Sequence, residues 1–434
     1  MPRIPKRLTI AVIAIVSIPP LLAQAQKKTK PPFVFKEAEI KLFDECEAID
    51  KQFKRRGLVY HDAAVEKRLA DIAAPLLPGA PMERVAWRFR ILRDPMVNAF
   101  AFPNGSVYVN SGMIARLEND DQLAGVLAHE ITHTANRDAY AYNRGRRTET
   151  VAVEALGFPA VGTVGTAIIE AAALSRTAAA SIKHGYGPIM EEEADRTALE
   201  RMKQAGRDPA QLVRTLVLMD IRLDPEPVSV SWHDHPAVRI LYLRKALALT
   251  RDAPPGADGG YVERMRPVLL QNIQLGLESR CFRGALAAAQ RLVQATPDNP
   301  DGLFWLGESY RALGPRSPLP SSAELDRWGQ RAAARQSAGR TEEEENRRLV
   351  SAAEGLAALA ENRRKAEEAY RKAVALDATQ ARPYLGLGML YEQEGKAEAA
   401  LAAYRKYLEM SPSGADKDRV ERRMSALSSK GETK

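Results

Sequence analysis

Residues 129–133 read His-Glu-Ile-Thr-His, two imidazoles four positions apart with a carboxylate directly after the first. On an α-helix of about 3.6 residues per turn, His129 and His133 share one face and can reach a single ion. Glu130 lies about 100° around the helix, beside that ion without ligating it. A zinc ion held by the histidines would activate a water molecule, and Glu130 would take its proton as general base. The chemistry implied by this spacing is hydrolysis of a peptide bond. Only six histidines occur in the chain, which makes an accidental match improbable.

The surrounding residues predict the helix this pair needs. Asn119, Asp120 and Asp121 supply an N-cap and first-turn acids, and Leu123, Val126, Leu127 and Ile131 follow at helical spacing. Upstream, Asn104-Gly105 is flanked by Phe100, Phe102, Val107 and Val109 in alternation. This pattern predicts a hairpin over 96–110 with a type I′ turn. Its first strand, at Asn98, Ala99 and Phe100, lies close in sequence to the metal helix and could pair with an extended peptide by strand addition. Residues 37–92 read as helices, through Ile40, Leu42, Phe43, Ile49 and Phe53 and then Val65, Leu69, Ile72 and Leu76.

A catalytic zinc site takes three protein ligands and keeps one position open. The acidic run Glu191-Glu192-Glu193-Ala194-Asp195 is the source of the third. Glu191 and Asp195 are four apart on one helix face, so one could bind metal while the other orients a histidine. Spacing alone leaves Glu191, Glu192 and Glu193 open. Ala194 and Ala198 are small and would let this helix approach the metal helix closely.

Composition bounds the rest. The chain has 434 residues, 45% hydrophobic and 27% charged, room for two or three soluble domains. Arg3, Lys6 and Arg7 precede an apolar run from Leu8 to Leu22 and the small-x-small stretch Ala23-Gln24-Ala25. This predicts a signal peptide over 1–25, with an uncleaved anchor as the alternative. The net charge of +8 loses three with those basic residues, too modest an excess to argue for nucleic acid. Cys46 and Cys281 fall in separate regions and are expected as two buried or free thiols. Residues 151–182, rich in Ala, Gly and Val, read as a buried helical pair or as a lid that touches lipid.

The run Asp252-Ala253-Pro254-Pro255-Gly256-Ala257-Asp258-Gly259-Gly260 reads as a linker. Beyond it the chain becomes repetitive. Tyr384, Leu387, Gly388, Tyr391, Ala400, Tyr404 and Pro412 occupy the large, small and terminal places of the tetratricopeptide template of about 34 residues. Ala366, Tyr370 and Ala373 fit the preceding repeat, Leu303, Leu306, Gly307 and Tyr310 start another, and Ala285, Ala289 and Pro297 end one before it. About four degenerate repeats are expected over 261–412, interrupted at 315–345, with a capping helix and polar tail over 413–434. Stacked helix pairs of this kind present a concave surface for peptides or partner proteins.

His-Glu-x-x-His, then Glu-x-x-x-Asp, with the upstream Asn98-Ala99-Phe100-Ala101-x-Pro103-x-Gly105 hairpin, resembles the HtpX-like and CAAX-prenyl-protease-like zinc metallopeptidases over roughly residues 37–250. The resemblance implies one zinc per chain, Glu191 as third ligand and Asp195 as its helix partner. Asn136-Arg137 also matches the pattern. His235-Pro236 with Arg239 resembles the family's His-Pro and Arg near the end of the catalytic domain, although the Arg follows sooner than is usual, and His233 would restore that spacing. His235 would serve the reaction by stabilising an oxyanion or by occupying the open metal position. The fold implied is mainly α. A gluzincin-type metallopeptidase domain (26–251) of helices plus a small β-hairpin or sheet would precede an α-solenoid of tetratricopeptide repeats.

An exported zinc peptidase joined to such repeats is similar to the periplasmic BepA-type proteins. That likeness implies a periplasmic endopeptidase acting on unfolded or stalled envelope and outer-membrane proteins. The repeats would recruit the substrate and reach the outer-membrane assembly machinery, and a peripheral membrane contact is allowed. The alternative is a chaperone or adaptor whose repeats supply the function beside a latent metal site.

Overall fold

The computed structural model describes residues 37–145, 186–221, 223–224, 236–250, 254, 256–257, 259–319 and 352–431. The expected signal peptide, the 151–182 segment, His233 and His235 lie outside the described residues. Helix α1 (Glu37–Arg55) leads into strand β1 (Val59–Tyr60), helix α2 (Ala63–Ala73) and a short 3-10 turn (Ala74–Leu76). Strands β2 (Arg88–Leu92), β3 (Ala99–Ala101) and β4 (Ser106–Asn110) follow, then α3 (Ser111–Arg116), α4 (Asp120–Asn136) and α5 (Asp138–Gly145). Helices α6 (Pro188–Gln204), α7 (Ala210–Asp220) and α8 (Pro236–Ala246) complete the part that surrounds α4. No described helix is long and apolar enough to cross a membrane.

The four described strands form one sheet in the order β1-β2-β4-β3. β2 runs parallel to β4, while β1 and β3 are antiparallel to their neighbours. Strands therefore occupy 59–60 and 88–92, where helices were expected. The alternation Trp87, Phe89, Ile91 against Arg88 and Arg90 carries the strand signal. The arginines of this alternation face α1 rather than open water. Arg88 pairs with Glu47, and Arg90 Nη1 donates to Tyr108 Oη at 3.3 Å. Buried Asp50 accepts from Ser106 Oγ at 2.5 Å and from Tyr108 Oη. Around this polar seam α1 buries Leu42, Cys46, Ile49 and Phe53 against Phe100, Phe102 and Tyr108. Each such large side chain contributes about 1.5–3 kcal/mol on burial.

The β3–β4 hairpin is present, but its turn differs from the expected type I′. Gly105 N–H donates to Phe102 O at 3.0 Å, which centres the turn on Pro103 and Asn104. Gly105 takes the positive φ of 90°, and Asn104 does not take one. Proline's fixed φ favours the first central position of an ordinary turn, and Gly105 then forms the bulge that rejoins the strand. A Cβ on Gly105 would stand 2.7 Å from Ala86 O, so glycine is required twice over.

Beyond residue 260, α9 (Tyr261–Arg264), α10 (Arg266–Glu278), α11 (Phe282–Ala295), α12 (Pro300–Leu313), α13 (Ala352–Leu376), α14 (Ala381–Gln393), α15 (Ala397–Met410) and α16 (Lys417–Gly431) follow. From α10 onward each helix packs on the next, the arrangement of an α-solenoid. Phe304, Tyr370, Leu390, Tyr404 and Val420 fill its layers. The earlier members of this series share a core with the first domain. Val268, Ile273, Ala285, Ala289 and Leu292 join Leu123, Val126 and Ile131 of α4 in one buried cluster. Cys46 and Cys281 are not joined by a disulfide; Cys46 is buried beneath the sheet and Cys281 is half-buried.

Candidate active site

Helix α4 begins where the sequence places it. Asn119 is extended and its side chain accepts Gln122 N–H at 2.9 Å, capping the helix. Every residue from Gln122 to Thr134 is buried, because α2, α6, α7 and the sheet surround the helix. Small residues at Ala124, Gly125 and Ala128 open the faces that the large apolar positions leave uncovered. The helix stops at Arg137, a left-handed residue with φ 64°, which turns the chain into α5.

His129, His133 and Glu191 converge: one donor atom from each lies within 4.8 Å of the others, and all three residues are buried. The two Nε2 atoms stand 3.0 Å apart. Glu191 Oε2 lies 3.3 Å from His129 Nε2, and its Oε1 lies 3.6 Å from His133 Nε2. Burial separates the three consecutive glutamates. Glu191 is 2% exposed, whereas Glu192 pairs with Arg196 at the surface and Glu193 is exposed. Ala194 and Ala198 are fully buried on the same face, and α6 packs against α4 there. Tyr186 N–H donates to Glu191 Oε1 at 3.0 Å, and the Tyr186 ring lies 4.6 Å from that of His133.

Each histidine is oriented from behind by a carboxylate. Asp195 Oδ1 lies 2.9 Å from His129 Nδ1, and Asp138 Oδ2 lies 2.7 Å from His133 Nδ1. Both Nδ1 atoms therefore carry the proton, and both Nε2 atoms present lone pairs. Asp195 is itself clamped by Arg239, which donates Nε–H to Oδ2 at 2.8 Å and Nη2–H to Oδ1 at 2.6 Å. Tyr242 Oη also donates to Asp195 Oδ2. Burial would raise the Asp195 carboxyl, but Arg239 and His129 hold it far below its usual range. Burial and Arg239 act to lower His129, and the carboxylates of Asp195 and Glu191 outweigh them, leaving the ring above its ordinary value.

The donor set fits a divalent cation. Two imidazole lone pairs and a carboxylate aim at one point, which is the ligand type of a catalytic zinc site. Glu130, Glu191, Asp195 and Asp138 are all buried there, and Arg239 is the buried guanidinium among them. Buried charges are tolerated when they are paired or coordinate a metal. Arg239 pairs with Asp195 and stands 3.9 Å from Glu191 Oε2, and a divalent cation would balance the remaining carboxylate charge.

A model of peptidase family M48 matches residues 61–247, and a tetratricopeptide repeat model matches residues 381–413. The chain carries an M48 peptidase domain. The putative beta-barrel assembly-enhancing protease of Vibrio cholerae is 27% identical over 165 residues, 37% of this chain and 34% of that protein. The beta-barrel assembly-enhancing protease of Escherichia coli strain K12 is 25% identical over 169 residues, 37% of this chain and 33% of that protein. The mitochondrial metalloendopeptidase OMA1 of Schizosaccharomyces pombe is 31% identical over 137 residues, 30% of this chain and 36% of that protein. The chain thus spans about a third of the length of the curated relatives it matches.

Within the M48 domain, the structure brings together His129, Glu130, His133, Glu191 and Asp195, with Ala99 and Phe100 on the strand that packs beside α4 and Asn98 immediately before it. Arg239 reaches the same site through Asp195. Asp138, Tyr186 and Tyr242 were not singled out from the sequence. Asp138 had one readable signal, an acid in the first turn of the helix that follows the motif.

Proposed function

We propose that this chain is a zinc-dependent endopeptidase of the cell envelope, with His129, His133 and Glu191 as metal ligands and Glu130 as general base. The observation that carries this reading is the convergence of two carboxylate-oriented histidines with Glu191, one residue away from a buried Glu130. Zinc bound there supplies Lewis acidity to the scissile carbonyl and to water. Glu130 accepts the proton of the attacking water and returns it to the leaving amine. Asp195 and Asp138 keep both imidazoles in one tautomer and one orientation. His235 remains a proposed stabiliser of the oxyanion.

Substrate binding by strand addition gains support from the register of β3. Phe102 N–H donates to Ser106 O and Asn110 N–H to Asn98 O, so residues 98, 100 and 102 face β4. By the alternation of an antiparallel ladder, the main-chain groups of Ala99 and Ala101 point to the opposite edge. The side chains of β3 are buried on both faces, among the α4 core and under α1. Recognition there would rest on main-chain hydrogen bonds, which suits unfolded substrates of varied sequence.

The names of the relatives from Vibrio cholerae and Escherichia coli, beta-barrel assembly-enhancing proteases, support a role in beta-barrel assembly. Envelope proteins as substrates, the outer-membrane assembly machinery as a partner of the repeats and the periplasm as the compartment belong to the same proposal. The test is zinc content and cleavage of an unfolded protein, parent against Glu130→Gln. One zinc in both, with cleavage only in the parent, is expected. Zinc in both without cleavage in either would move the weight to a chaperone or adaptor acting through the repeats.

A further inference from the structure

The six-residue helix α3 follows β4 directly and depends on the first repeat for its hydrogen bonds. Its last carbonyls are orphans of the helix. Met113 O accepts Leu117 N–H, but Ile114 O accepts from Tyr261 Oη at 2.9 Å, and Ala115 O accepts from the Arg291 guanidinium. Tyr261 and Arg291 both belong to the segment after the Pro/Gly run. The start of α3 is tied to the same segment. Ser111 Oγ lies 2.9 Å from Asn272 Oδ1 on α10 and 2.8 Å from Asp94 O. Asn272 is 3% exposed.

Asp94 opens the loop that delivers β3. Its carbonyl also accepts Gly112 N–H at 2.9 Å, and its carboxylate accepts Met96 N–H at 2.9 Å. The loop crosses α3 so closely that a Cβ on Gly112 would stand 2.2 Å from Pro95 O. On its other side the loop is not packed tight. A cavity of about 60 Å³ is lined by Pro95, Met96 and Val97 together with Cys281, Ala287 and Ala288. Hydrogen bonds rather than packing fix the loop on that side, so losing them would let it slide toward the void.

We propose that Asn272, on the first repeat helix, is a positioning residue for substrate binding: through Ser111 and Asp94 it holds the loop that sets the edge strand Ala99–Ala101. The first repeat hairpin is then part of the peptidase scaffold, and strain on the solenoid reaches the substrate strand by this chain of contacts. The claim about substrate rests on the peptidase reading; the claim about the strand does not.

The experiment compares Asn272→Ala, Ser111→Ala and the double variant by amide hydrogen exchange on the full chain. It adds the affinity of an extended peptide for the zinc-loaded Glu130→Gln form of each. A buried hydrogen bond of ordinary strength corresponds to about a fivefold effect. Exchange over residues 94–101 should quicken about fivefold in each variant while α4 keeps its protection. The peptide should bind about fivefold more weakly, with the double variant no weaker than the singles. Unchanged exchange over 94–101, or equal loss of protection in α4, would overturn the positioning role. A faster strand with unaltered peptide affinity would overturn its link to substrate. A peptide that fails to bind the Glu130→Gln parent would count against the peptidase reading, and the exchange result would still decide whether Asn272 holds the strand.

Discussion

Asp138 offers the sharpest test of how the metal ligands are held. Its Oδ2 accepts the Nδ1 proton of His133 at 2.7 Å, and the His133 ring is fully enclosed. Asp138→Ala would leave a buried N–H without its carboxylate, a loss of about 1–3 kcal/mol. Carboxylates behind a ligating histidine are worth about 10–100-fold in metal affinity, or about 1.4–2.7 kcal/mol. The two estimates agree, and the expected result is a zinc dissociation constant raised by about that factor. Asp138→Asn keeps a neutral acceptor and should lose only about fivefold, the difference between charged and neutral hydrogen bonds. The apo fold of Asp138→Ala should weaken as well, by about 1–3 kcal/mol, because the buried N–H loses its acceptor with or without metal. Asp195 is a poorer probe, because its removal strands buried Arg239 and would cost about 3–5 kcal/mol of stability. The assay is competition for zinc against a chelator at neutral pH, with thermal unfolding of each apo form as control. A dissociation constant for Asp138→Ala within about twofold of the parent would refute the reasoning.

Further outcomes follow from the same geometry. Glu130→Gln should keep its zinc and lose about 10²–10⁴-fold in cleavage rate, read as turnover per bound zinc. Asp94 is buried, and burial raises its carboxyl to about 6 from an ordinary 3.8. The folded state then holds that proton more tightly than the unfolded chain, so this group's contribution is complete below pH 4 and is lost as pH rises through 6. The loss is about 3 kcal/mol, and Asp94→Asn should abolish the corresponding slope in urea unfolding between pH 4 and 6. Gly105→Ala combines a positive φ with a 2.7 Å contact to Ala86 O and should lower the urea midpoint by about 1–3 kcal/mol of stability, with the m-value unchanged. In the native protein a thiol reagent should modify Cys281 and spare Cys46 until denaturant is added. Cys46 is fully buried, and burial together with Asp50 pushes its thiol well up.

What the sequence made legible was local. The metal helix, its Asn119 cap and the acidic base beside His129 all fall within one stretch whose spacing has a direct geometric meaning. The proposed third ligand depends on which of three consecutive glutamates turns inward. That choice is made by the packing of Ala194 and Ala198 against α4, which is a tertiary fact. Asp138 was hidden by Arg137, because a non-glycine residue with φ 64° reverses the chain where spacing would have carried it away from His133. The strand at 88–92 was readable from its alternation, but its polar positions answer Glu47 and Asp50 of α1 instead of solvent. The pair α10–α11 reads like a repeat because its small residues, Ala285 and Ala289, serve equally for stacking on a repeat and for closing the core around α4.

The two histidines proposed as ligands are local in sequence while their rigidity is not. His129 owes its orientation to Asp195, and Asp195 owes its own to Arg239 and Tyr242 on α8. His133 depends on Asp138, which the elbow at Arg137 presents, and Arg137 is paired with buried Glu39 on α1. The edge strand depends in turn on a loop tied to α3 and to the first repeat. Three distant segments therefore converge on a motif five residues long. Preorganisation of this kind demands that supporting side chains be locked by their own partners. A chain cut after α8 would remove Tyr261, Asn272 and Arg291 together and leave α3 with exposed carbonyls and a torn core. Removing only the last three helices, α14 to α16, leaves those contacts intact, which makes it the informative truncation for separating the proposed catalysis from the proposed recruitment.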